Sequence, residues 1–118
     1  MITAAHAIIY AEDAERARAF LRDVLGLPSV DAHGGGLIFK LPPAELGVHP
    51  TDGPASHELF LVCDDIESTV AELEGKGVEF TGDIDERRFG RMATLRIPGG
   101  GELGIYQPTH PTAYDLAD

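Results

Sequence analysis

The sequence predicts an α+β fold, two tandem βαβββ modules forming a cupped mixed sheet around a cleft. Three observations predict it. The chain is written twice: "AELGVHP" (44–50) returns as "GELGIYQP" (101–108), and "HAIIYAEDAERARAFL" from His6 returns as "HELFLVCDDIESTVAEL" from His57. Each copy passes from a β-prone apolar run into a stripe of helical period and back into β-prone runs. The 118 residues, 43% apolar and 25% charged, suffice for one core but not for two independent ones. The expected layout is a single domain over 1–118, with module one at about 2–50, module two at about 56–108 and a tail at 109–118.

"AAHAIIYA" (4–11) is the first expected strand, and Asp13 is placed to cap the helix after it. Ala17, Phe20, Leu21, Val24 and Leu25 form that helix's apolar stripe. Gly26 supplies the left-handed position that ends it, and Pro28 prevents its resumption. "PSVDA" (28–32) reads as a short strand, "HGGG" (33–36) as a turn, "LIFKL" (37–41) as a strand and "ELGVH" (45–49) as the last one. Turn residues cluster in the seam "TDGPAS" (51–56). In module two "ELFLVC" (58–63) is the strand and Asp64 or Asp65 the cap. Ile66, Val70 and Leu73 form the stripe, and "GKG" (75–77) stops it. "VEFTG" (78–82), "RMATLRI" (91–97) and "GELGIYQ" (101–107) complete the set. The closing "PTHPTAYDLAD" has no periodicity and reads as a loosely attached tail.

His6 is matched by His57, Pro42 by Pro98 and Gly47 by Gly104, with an offset that grows along the chain as loop insertions would make it. A lone βαβββ unit covers one sheet face with its helix and leaves the other open. A second copy encloses that face, and the resulting cleft is the default place for a ligand.

Charge narrows the partners. Twenty acids against nine bases, a net −11, argue against nucleic acid and favour cationic small molecules. No apolar run is long enough to span a bilayer, and no basic segment leads into one as in a secretory signal. The single cysteine, Cys63, has no internal disulfide partner, which fits a reducing cytoplasm, and reads as a small half-buried side chain. "HGGG" and "PGGG" (98–101) sit between strands and read as tight turns, not phosphate cradles. "DERRFGR" (85–91) is either a lid over the cleft or a solvated turn neutralised by Asp85 and Glu86, and the turn is the expectation. Ser56 beside His57 is too local to imply a nucleophilic triad.

Strand, helix and three strands given twice, with "HELFLVCDDIESTVAELEGKGVEF" (57–80) and "IPGGGELGIYQP" (97–108), resemble the vicinal oxygen chelate superfamily. That superfamily includes glyoxalase I, extradiol dioxygenases, and fosfomycin- and bleomycin-resistance proteins. The resemblance spans about residues 3–108. It implies metal ligands, where a metal is used, from a His on each first strand and a Glu on one or both last strands. His6 and His57 fall on the first-strand positions, but the glutamate positions fall on Gly47 and Gly104.

Glu45 and Glu102 lie two residues before these glycines, on the same strand faces. That is a displacement of about 6.6 Å, against a zinc–oxygen bond of about 2.0–2.2 Å. His49 and Tyr106 lie two residues beyond, suited to line a pocket. Two histidines alone are a poor metal site. The glycines either widen the cleft floor for a flat ligand or permit a bulge.

The expectation is therefore a small organic ligand, cationic or aromatic, bound by His6, Gly47, His49, His57, Glu102, Gly104 and Tyr106 in a homodimer without a cofactor. The alternative is a divalent-metal-dependent lyase or dioxygenase using His6 and His57.

Overall fold

The computed structural model describes residues 6–32, 36–45, 47–48, 50, 52–88 and 90–116. Asp13 opens helix α1 (Ala14–Ala19) as its sequence position implies, its carboxylate accepting the Arg16 N–H at 3.1 Å. Over Phe20–Val24 the coil widens into a π-type turn, and the Leu25 N–H donates to the Phe20 carbonyl at 3.2 Å. Gly26, at φ 69°, then ends the helix from the left-handed region. Strands β1 (Ser29–Asp31) and β2 (Leu37–Phe39) pair antiparallel as a separate two-stranded sheet.

Residues 60–108 form the larger sheet and the helix beside it. They comprise β3 (Phe60–Val62), α2 (Ile66–Gly75), β4 (Asp85–Arg87), β5 (Gly90–Ile97) and β6 (Gly101–Pro108), with the strands in spatial order β3-β6-β5-β4. β3 runs parallel to β6 and the other neighbours are antiparallel, so the sheet is mixed and the fold α+β. Asp65 caps α2 by accepting the Ser68 N–H at 3.2 Å, and Gly77 at φ 87° follows its end. No helix among the described residues is long and apolar enough to cross a membrane.

The β5–β6 register decides which side is core. Ala93 faces Ile105 and Leu95 faces Leu103, and these four share one side of the sheet. They are buried with Ile97, with Ala17 and Phe20 from the first helix, and with Ile66, Leu73 and Val78 from module two. Ile66 and Leu95 are completely enclosed, each contributing about 1.5–3 kcal/mol of burial. Both helices thus cover the same sheet face and build one core. The Asp13 N–H donates to the Gly99 carbonyl at 2.8 Å, fastening α1 to the β5–β6 turn. A Cβ on Gly99 would approach Asp13 O to 2.9 Å, so the "PGGG" glycines serve a tight turn with a close neighbour.

Four segments differ from the sequence expectation. Residues 6–11 and the described part of 45–49 form no strand, and Ile8, Tyr10 and Val48 are 63%, 90% and 89% exposed. A strand needs a ladder partner, and these segments have none among the described residues. "VEFTG" makes one bridge, Phe80 opposite Leu95, while the hairpin β4–β5 forms inside "DERRFGR". There Arg87 meets Asp85 at 2.7 Å, and Arg91 meets Glu86 and Glu67 at 2.8 Å each, the locally neutralised turn anticipated from sequence. The tail is not loose: the Ala113 N–H donates to Glu45 Oε1 at 2.7 Å and the Thr109 hydroxyl to the Arg88 carbonyl at 3.3 Å. The expected turn at 33–36 lies outside the described residues except for Gly36, whose carbonyl accepts the Ala32 N–H at 3.0 Å.

Candidate ligand-binding site

The side of the sheet away from the helices carries the other half of the alternation. Met92 faces Tyr106, Thr94 faces Gly104 and Arg96 faces Glu102, while Phe60 and Val62 of β3 sit opposite Gly104 and Tyr106. Paired residues share a face, so Phe60, Val62, Met92, Thr94, Gly104 and Tyr106 form one continuous surface. At its β4 edge that surface adjoins a hollow of about 370 Å³ whose walls include Thr81, Asp83, Met92 and Thr94. A groove of about 810 Å³ lies between α1 and the β5–β6 turn, with Tyr10, Phe20, Arg96 and Glu102 in its walls. Both volumes suit a small organic molecule.

The expected site residues divide. Tyr106 and Gly104 lie on the surface just described, both buried, and exposed Glu102 lies two residues before Gly104. His6, Gly47 and His57 are exposed and outside regular strands, and His49 falls outside the described residues. The residue opposite Gly104 is Phe60, not His57. A Cβ on Gly104 would run into the Phe60 ring, whose Cε1 would stand 2.5 Å away. Here the glycine makes room for a neighbouring ring, a use neither sequence reading contained.

Three residues outside the expected site complete the surroundings of Tyr106. The Phe60 ring lies 5.9 Å from the Tyr106 ring at 48°, and the His110 ring lies 5.8 Å from it at 36°. Glu45, its side chain only 20% exposed, brings Oε2 to 3.6 Å from His110 Nε2 while its other oxygen holds the Ala113 N–H. Burial first, and the Glu45 carboxylate second, push the Tyr106 phenol above its ordinary value. The period of "ELFLVC" gave the only advance signal for Phe60, and nothing in the aperiodic tail marked His110.

Glu102 has a different neighbourhood. It stands opposite Arg96, which turns its guanidinium to Glu79 at 3.3 Å. Cys63 is a free, half-buried thiol. Burial pushes it up, Asp64 and Asp65 add to the rise, and hydrogen bonds from Thr69 and Asp65 only partly oppose it.

The metal site that the vicinal oxygen chelate resemblance implies does not fit this donor set. Among the described residues no three His, Cys, Asp or Glu side chains converge. Where a metal-using relative would carry a last-strand carboxylate, the Phe60 ring fills the space beside Gly104, and Glu45 is turned to the tail.

Fold and face together define an α+β protein whose mixed sheet is backed by helices on one side and carries an aromatic surface on the other. The family model for the Glyoxalase/Bleomycin resistance protein/Dioxygenase superfamily matches residues 3–106, and the chain belongs to that family. Among solved structures it is similar to TnmS3, an antibiotic binding protein from Streptomyces sp. CB03234. The two are 24% identical over 92% of this chain and 100% of that one, with a TM-score of 0.62. It is also similar to a lactoylglutathione lyase from Agrobacterium tumefaciens, at 22% identity, 86% and 92% coverage and a TM-score of 0.60. A glyoxalase/bleomycin resistance protein from Streptomyces sp. CB03234 is 26% identical over 84% of this chain and 95% of that one, with a TM-score of 0.56. No curated protein sequence matches the chain.

Proposed function

We propose that the protein binds and sequesters a small organic molecule, cationic or aromatic, over the sheet face that carries Tyr106, and carries out no redox or hydrolytic step on it. One observation carries this reading. The helix-free face presents the aromatic pair Phe60 and Tyr106 beside a carboxylate, and glycine stands where metal-using relatives place a ligand. The antibiotic-binding neighbour supports the ligand class, and the net charge of −11 raises the local concentration of cations. Tyr106, Gly104 and Glu102 are the contributions of β6, and His6, Gly47, His49 and His57 join them as the cleft closes.

The cleft closes in a homodimer. The chain exposes 9002 Å², whereas a compact monomer of 12.6 kDa exposes about 6,200 Å². Its radius of gyration is 15.1 Å, against about 13.5 Å expected for its length. The excess lies partly in module one, where Ile8, Tyr10, Val30 and Val48 await cover. The rival reading, a divalent-metal-dependent lyase or dioxygenase built on His6 and His57, takes support from the lyase neighbour, while among the described residues no three metal-ligating side chains converge.

A thermal-shift screen of cationic antibiotics, aromatic metabolites and neutral and anionic counterparts tests the proposal. It predicts stabilisation confined to flat or cationic compounds and unchanged by chelator. A flat response to every compound, or stabilisation only after a divalent metal is added, would contradict it.

A further inference from the structure

Resting on that reading and sharpening its ligand class, we propose that tail residues 109–116 act as a built-in pseudo-ligand, with His110 holding the seat of a flat organic cation. The seat is the Tyr106 ring with Glu45 beside it and Phe60 behind. His110 fills it as such a ligand would. Its ring lies against Tyr106, its Nε2 is directed at Glu45, and its Nδ1 lies 2.6 Å from the Pro111 carbonyl. The flat His110 ring is thus set between an aromatic face, a carbonyl oxygen and a carboxylate. Ring face and carboxylate together are what selects a delocalised cation over a neutral ring or a compact ammonium.

The strap is held by contacts that solvent reaches. Its described ties are the Ala113 N–H to Glu45, the Thr109 hydroxyl to the Arg88 carbonyl, and the His110 contacts, all at exposed or partly covered positions. A ligand that takes the ring face and Glu45 Oε2 displaces His110, and it pulls on Ala113, three residues on, whose N–H is held by the other oxygen of the same carboxylate. The tail and the ligand therefore compete for the Tyr106 ring face and Glu45 Oε2. The tail sets a threshold that weak binders do not cross, as a site open only part of the time lowers apparent affinity in proportion.

Thioflavin T, a flat aromatic monocation, is the probe, titrated by fluorescence and calorimetry into the full chain. His110→Ala empties the seat, and Ala113→Pro removes the tail's donor to Glu45 without touching the seat. Each is expected to tighten dye binding roughly tenfold, the gain for a seat held closed about nine-tenths of the time. Adding Glu45→Gln to His110→Ala is expected to abolish that gain. In the unaltered chain, saturating dye should move the Ala113 amide resonance to its unstructured position.

Dye binding that is equal in all four proteins, or weaker in both single variants, overturns the pseudo-ligand. So does an Ala113 amide unmoved by bound dye, or no binding by any protein. If the compound screen still yields binders whose affinities ignore the tail variants, the inference falls while the proposed function stands.

Discussion

Gly104 shows how one absent side chain is explained by one neighbour. β3 runs parallel to β6 with Phe60 opposite Gly104, and the phenyl ring occupies the volume a Cβ would take. Gly104→Ala is therefore expected to cost about 1–3 kcal/mol in urea unfolding, the usual penalty of overfilling a packed site. Phe60→Leu in the same chain should recover most of that loss. A Gly104→Ala protein as stable as the parent would mean that the ring lies elsewhere. The paired glycines were visible in the sequence as vacancies at family carboxylate positions. Their occupant was not, because Phe60 and Gly104 meet only through strand pairing.

At the scale of elements, local chemistry carried most of the information. Asp13 and Asp65 each begin a helix by accepting the N–H three residues on, and Gly26 and Gly77 stand in the left-handed region where helices stop. These signals lie within a few residues of what they control, so they are legible without the fold. The second cap of α2 is not local: the Ile66 N–H donates to Gln107 Oε1 of β6 at 2.8 Å. Asp65→Ala should lower stability by about 0.5–2 kcal/mol, and Gln107→Leu by about 1–3 kcal/mol because it strands a half-buried donor. Denaturation of both variants checks this, and a neutral Gln107→Leu would show that water serves Ile66 equally well. The first strand expected, over 4–11, is absent from its described residues for the complementary reason. "AAHAIIYA" has the composition of a strand, but composition supplies no ladder, and residues 6–11 have no partner in the described chain. The tail was misread in the opposite sense, since its anchor, Glu45, is far away in sequence.

For the whole molecule, the duplicated pattern foretold an α+β chain with a mixed sheet, and the family match over residues 3–106 agrees. Among the described residues, 6–50 nevertheless hold α1, the π-type turn after it and a two-stranded sheet of their own, with apolar residues left in solvent. Light scattering after size exclusion should return twice the 12.6 kDa chain mass. A stable monomer at micromolar concentration would remove the closed cleft from the account.

The central claim is that a ligand is held by ring faces and a carboxylate, on a donor set too poor for an ion. Metal content decides it most directly: elemental analysis of the purified protein after incubation with Mn, Fe, Zn and Ni and gel filtration. The account predicts substoichiometric metal, the same in the parent and in His6→Ala and His57→Ala. One tightly held ion per chain, lost in both variants, would contradict it.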